Sequence, residues 1–398
     1  MKILVACKLP EFAIEELQAL GSDVIVAPTI TTEQLVTAIR DVNILVVRRN
    51  RVTAEVLHAQ RQLQMILRAG TDVTNIAIEE ASAQGVFVVR CPNRDSVAVA
   101  EMAFTLLLAL DRRLPDAIAA ARSGNATQRD EVADAHGLAG ATLGLVGYGP
   151  TQREIAARAR AFGMKILSWS PSLSGEQATD DESVQFVNWP RELAARSDAV
   201  IVYAPPHEGE ELRADAELLG AMRERAAFVH IGVPAAISES AIADAIDRRH
   251  IRVALDLFSP RETERVRCPL AERPDVLATF RLADRSRHAK HSIATEVVSV
   301  VRQFLVSGTV ANCVNLLERS PATWQLVLRL RDAVGVMASI MDAVRADGVN
   351  AEEITSRVFV GARAAWCTIA LDERPSAEAL QTIRAIEGVL HLELRAVV

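Results

Sequence analysis

Short β-branched runs alternate with longer amphipathic stretches along this chain of 398 residues. KILVA (2–6), DVIV (23–26), NILVV (43–47), MILR (65–68) and VFVV (86–89) have the look of buried parallel strands, with helical patterns between them. They predict a first α/β unit. SVAVAEMAFTLLLALDRRLPDAIAAAR (96–122) predicts one long helix, apolar on nearly every face until it turns Arg-rich. A helix so apolar must be covered, and the expected cover is a second subunit, giving a two-fold homodimer through Phe104 and Leu107. LGLVG (143–147), KILSW (165–169), AVIVY (199–203), AFVHI (227–231) and RVALDLF (252–258) repeat the strand rhythm and predict a second α/β unit. From about 293 the chain returns as one long helix. The stretch 324–398 reads strand, helix, two strands, helix, strand, the order of a ferredoxin-like sandwich.

Composition narrows the function classes. Half the residues are apolar and 24% charged, as in a globular protein of two or three domains. A formal net charge of -7 argues against a surface that tracks nucleic-acid phosphates. No run reaches the roughly eighteen apolar residues of a membrane span, and the N-terminal stretch meets acidic residues early, so the expectation is a cytoplasmic protein. The five cysteines (Cys7, Cys91, Cys268, Cys313, Cys367) have neither CxxC pairing nor neighbouring histidines, which predicts reduced, mostly buried thiols and no metal site.

The stretch LGLVGYGPTQREIAARARAFGMKILSWSP (143–171) has the strand, turn and helix of a phosphate loop. Gly147 fits the tight turn and Gly149 the close backbone approach to a pyrophosphate. Gln152 stands where a third glycine would let the helix pack close to its strand. Either the helix stands off the sheet or the Gln152 side chain points into the phosphate site. Ser170 ends the next strand, where an acid would bind the adenosine ribose.

RAGTDVTNIAIEEASAQGVFVV (68–89), CPNRDSVAVAEMAFTLLLAL (91–110), LGLVGYG, RAFGMKIL, RSDAVIVYAPP (196–206) and ALDLF (254–258) together resemble the D-isomer-specific 2-hydroxyacid dehydrogenases, in particular the phosphoglycerate dehydrogenases. The terminal stretch, with GVNAEEI (348–354), resembles an ACT regulatory domain. The resemblance implies a flavodoxin-like substrate-binding domain from 1–95 plus 293–315, a Rossmann nucleotide-binding domain from 96–292 and an ACT domain from 322–398. Both larger domains would be doubly wound parallel sheets. It also implies NAD or NADP as cofactor, with Gly147, Gly149, Ser170 and Asp256 around it, and Gly70 and Thr71 as the turn that receives a substrate carboxylate.

Three functional positions depart from that pattern. Val233, in HIGVPAAISE (230–239), stands where the family places the arginine that holds the carboxylate and polarises the carbonyl. Arg281, in TFRLADRS (279–286), stands where it places the catalytic histidine, and an arginine cannot exchange its proton near neutral pH. Arg261 stands at the glutamate that orients that histidine, with Glu262 one residue away. Glu262 and His288 are the candidates for a rearranged acid and base; His291, His230 and His207 read as helix-end, surface or packing residues. Arg48, Arg49 and Arg51 follow the third strand and, with Arg281, make a candidate clamp for an anion. In the terminal stretch LRDAVG (330–335) alters the amino-acid contacts, leaving Asp332 and Asn350 as candidate ligand residues. The expectation is a divergent phosphoglycerate dehydrogenase homologue, impaired in catalysis or repurposed to bind a small anion, a peptide or a protein partner. A dimer would be joined to a tetramer through the ACT domains. The alternative is an NAD(P)-dependent oxidoreductase acting on a 2-hydroxy or 2-oxo acid such as 3-phosphoglycerate.

Overall fold

The computed structural model describes residues 1–124, 135–171, 183–204, 214–257, 268–317 and 319–397. Met1–Asn315 and Leu316–Val398 are separate compact units. In the first, β1 (Lys2–Val5), β2 (Asp23–Val26), β3 (Ile44–Val47), β4 (Met65–Arg68) and β5 (Phe87–Arg90) form a parallel sheet of order β2-β1-β3-β4-β5. Strands β1, β3 and β4 are buried almost throughout, because helices cover both faces. A second parallel sheet contains β6 (Thr142–Val146), β7 (Lys165–Trp169), β8 (Val184–Phe186), β9 (Ala199–Ala204), β10 (Ala227–Gly232), β11 (Arg252–Leu257) and β12 (Val276–Phe280). Its order, β12-β11-β10-β9-β6-β7-β8, reverses direction between β6 and β9. That is the switch point of a Rossmann fold, where a crevice opens beyond the strand ends. The short edge strands β8 and β12 complete the pattern read from sequence.

The long apolar helix differs from expectation in two ways. It is two helices, Ser96–Asp111 and Leu114–Ser123, because Arg113 takes a left-handed conformation (φ 45°) and Pro115 starts a new first turn. The apolar residues of the first helix are also largely covered by the chain itself, whereas Leu114 and Ile118 of the second stay exposed. Phe104 is 4% and Leu107 1% exposed within one protomer, and Phe104 stacks on Phe162 with ring centroids 5.1 Å apart. These two side chains therefore need no partner to cover them, and a charge placed on either disrupts the fold before it tests an interface.

The returning helix, Arg287–Ser307, starts earlier than its sequence pattern suggests, with the Ser286 hydroxyl accepting from the Ala289 amide at 3.0 Å. It packs Ile293, Val297 and Val301 against the first sheet's core. Its first turn thereby comes to the C-terminal ends of β1 and β3.

The second unit has β13 (Trp324–Arg331), β14 (Ala351–Val358), β15 (Ala364–Leu371) and β16 (Val389–Ala396), with helices Val336–Ala346 and Ala377–Ala385. The antiparallel sheet order β14-β15-β13-β16 and the βαββαβ sequence make it ferredoxin-like. Leu326, Leu328, Cys367, Ile369 and Ile383 form its core.

Candidate functional site

A cavity of about 550 Å³ opens at the carboxyl ends of β1 and β3. Among the described residues, Lys8, Arg48, Arg49, Arg285 and Lys290 line it, with Asn50 and the single acid Asp284. Parallel strands deliver side chains to this end of a sheet, and the first turn of Arg287–Ser307 adds Lys290. The first-turn cations sit against the positive end of that helix dipole, an arrangement that a bound anion relieves. Arg48 and Arg49 were legible from sequence. Lys8, Arg285 and Lys290 were not assembled there, because nothing in their spacing shows that three distant segments meet.

Arg281 lies beside this cluster. Its Nε and Nη2 donate to Asp284 Oδ2 at 3.2 and 3.1 Å, and Arg48 Nη2 lies 3.9 Å from the same oxygen. Asp284 thus ties the end of β3 to the loop after β12. Arg281 has φ 49°, a conformation that side chains with a Cβ rarely adopt, so the loop holds it firmly. The holding group is Asp256, which is fully buried. Its carboxylate accepts from the Leu282 amide at 3.0 Å, the Ala283 amide at 2.9 Å and the Thr279 hydroxyl at 2.8 Å. Asp256 is engaged in shaping the loop that carries Arg281.

The turn after β4 is built around Arg68, a residue the sequence reading passed over. Arg68 is 8% exposed and its Nη2 donates to Asp72 Oδ2 at 2.8 Å. Although burial pushes the Asp72 carboxyl up, Arg68 and the Thr74 hydrogen bonds hold it below the ordinary range. A Cβ on Gly70 would lie 1.7 Å from Arg68 Nη1, so glycine is what lets the guanidinium lie across the turn. The Gly70 carbonyl accepts from the Cys91 amide at 2.9 Å, and Thr71 faces Asp95. Burial, with Asp284 as a like charge, raises the Asp95 carboxyl. Cys7 lies in the cavity wall, where burial pushes its thiol up to about 12 despite Arg48 and Arg68.

The remaining sequence candidates are dispersed. His288 is exposed at the head of its helix, and His291 stacks on Phe12 with centroids 4.5 Å apart. Glu262, Arg261 and His207 lie outside the described residues. His230 is fully buried in β10, where burial pushes its imidazole down to about 4. Val233 is 8% exposed just beyond that strand. In the second unit Asp332 follows the last residue of β13, while Asn350 precedes β14, whose Ala351 pairs with Leu371, itself opposite Trp324. The two candidates therefore sit at opposite ends of the sheet, about 25 Å apart for an eight-residue strand, and form no common site within one protomer.

At the switch point Gly147 has φ +84° and makes the turn, and Gly149 precedes helix Pro150–Ala161. Of the two arrangements left open for Gln152, the side chain turns into the phosphate turn. Gln152 Oε1 accepts from the Gly149 amide at 3.1 Å, and its Nε2 donates to the Val146 carbonyl at 3.3 Å. Ser170 is buried at the end of β7.

This architecture is shared with a known enzyme class. Residues 104–283 match the family model "D-isomer specific 2-hydroxyacid dehydrogenase, NAD binding domain", and most of the chain is similar to D-3-phosphoglycerate dehydrogenases. Among its relatives is the D-3-phosphoglycerate dehydrogenase of Methanocaldococcus jannaschii, 32% identical over 321 residues, which are 79% of this chain and 60% of that one. The D-3-phosphoglycerate dehydrogenase of Archaeoglobus fulgidus is 28% identical over 350 residues, 85% of this chain and 64% of its own. The chain thus spans about 60% of the length of these curated relatives. A crystallised protein of Thermus thermophilus superposes with a TM-score of 0.65 at 26% identity, over 79% of this chain and all of that one. An acyclic imino acid reductase in complex with NADPH and D-Arg shares the fold, at 22% identity over 79% of this chain and all of that one, with a TM-score of 0.66.

Proposed function

We propose that this chain is a divergent relative of the phosphoglycerate dehydrogenases that binds a small anion in the cleft at β1 and β3 and does not carry out the family's hydride transfer. The observation that carries the reading is the lining of that cleft, five cations against one carboxylate among the described residues. Charge-assisted hydrogen bonds from several arginines suit a phosphate or carboxylate, and the guanidinium fork suits either bidentately. Asp284 neutralises part of the cluster and aims Arg48 and Arg281.

Catalysis is a different matter. The position expected to move a proton holds Arg281, paired to Asp284 and unable to give up a proton near neutrality. The position expected to clamp a carboxylate and polarise a carbonyl holds Val233, which donates nothing. A second reading, an NAD(P)-dependent oxidoreductase of 2-hydroxy or 2-oxo acids with a rearranged site, is favoured by the match to the family's NAD binding domain itself. Calorimetric titration with 3-phosphoglycerate, beside an assay of NADH and NADPH oxidation with a panel of 2-oxo acids, separates the two. Saturable anion binding without turnover is expected; cofactor-dependent turnover would replace the first reading with the second.

A further inference from the structure

We propose that the phosphate turn after β6 is closed by the chain's own residues, and that Gln152 is the residue that excludes a dinucleotide pyrophosphate. A phosphate at a helix N-terminus is held by the first-turn N–H groups, which the helix leaves without partners. Four residues supply that turn here, Gly149 to Gln152. Pro150 has no amide hydrogen. The Gly149 amide donates to Gln152 Oε1. Two of the four donors are therefore lost to a phosphate, one by covalent chemistry and one by occupation.

The occupation is a built feature. Gln152 is 5% exposed, and its amide is fixed at both ends by Gly149 and Val146. Its oxygen lies over the Gly149 Cα, so close that a Cβ there would approach it to 3.3 Å. The side-chain oxygen stands where a phosphate oxygen would accept, neutral where the phosphate is charged. Beside it, Ser170 offers no carboxylate to the ribose hydroxyls. The dinucleotide that the family's cofactor domain receives does not fit this turn without expelling a buried, twice-bonded side chain. The inference rests on the family reading and leaves the anion cleft aside.

The test is a tryptophan-fluorescence titration with NADH, ADP-ribose and adenosine, on the wild type and on a Pro150→Ala/Gln152→Gly double variant. The wild type is expected to show no saturable binding of NADH or ADP-ribose into the millimolar range. The double variant is expected to gain about tenfold for each recovered donor. Adenosine, which has no phosphate, should bind both alike. Gln152→Ala removes both the acceptor and the occupying side chain, and should gain about tenfold alone if the double variant fails to fold. Wild-type NADH binding as tight as that of a folded variant would overturn the inference, as would a Gly149 amide resonance that shifts when ADP-ribose is added to the wild type. Turnover separates this inference from the proposed function. A variant that gains cofactor binding without oxidising it supports both, whereas wild-type turnover of a 2-oxo acid overturns both and anion-only failure touches the function alone.

Discussion

Two places in the first 315 residues have the anatomy of an anion site, and they differ in what supplies the positive charge. In the cleft at β1 and β3 the donors are side chains, brought together from separate segments of the chain. In the turn after β6 they are backbone amides, and a proline and a glutamine have removed half of them. Both sites stand at the carboxyl ends of parallel strands, where the fold itself places a crevice. On the two proposals above, the difference teaches that an α/β scaffold can close one anion site with local residues while the other keeps its charge. A backbone site is lost by changing two nearby residues; a side-chain cluster loses affinity one cation at a time.

The largest effect should come from the residue that supports the cleft without lining it. Asp256→Ala leaves the buried Ala283 amide and the part-buried Leu282 amide without their acceptor and frees the loop carrying Arg281 and Asp284, which should cost roughly 3 to 5 kcal/mol of unfolding free energy by urea titration. A smaller loss would mean that the loop is held by other contacts. Reversing a charge in the cleft comes next. Arg48→Glu should weaken 3-phosphoglycerate binding by about 10- to 100-fold in calorimetry, while the melting temperature barely changes. An unchanged affinity would place the ligand elsewhere and break the comparison.

The pH dependence sharpens the contrast from the second sheet. The folded His230 imidazole titrates near 4 and an unperturbed one near 6.5, so as pH falls the unfolded chain takes up the proton first. Stability held above pH 6.5 is then lost as the pH drops towards 4, by about 2 kcal/mol at pH 5. His230→Leu should remove this slope from urea midpoints measured at pH 7 and pH 5. The smallest effect is expected at Gly70→Ala. The new Cβ pushes Arg68 off Asp72 at a cost of about 1 kcal/mol, measurable as a lower urea midpoint.

The fold was legible because its signals are local. The β-branched runs at 23–26, 65–68 and 165–169 coincide with β2, β4 and β7, and the terminal βαββαβ order is as its pattern predicts. The break at Arg113 was missed because a single left-handed residue leaves the apolar period of the flanking helices intact. The closure of the phosphate turn was half legible: Pro150 carries its missing hydrogen in its identity, but the direction of the Gln152 side chain needs coordinates. Asp256 and Asp284 show the larger limit. Their roles follow from pairing across 23 to 27 residues, or across lobes to Arg48, and no spacing rule announces such pairing.

One titration tests the contrast most directly: the purified wild-type chain against 3-phosphoglycerate and against NADH, at the same low ionic strength. Saturable binding of the small anion with no saturable binding of the dinucleotide into the millimolar range is the predicted result. Tight NADH binding with no response to the anion would contradict it, since the side-chain cleft would then be idle and the backbone turn open.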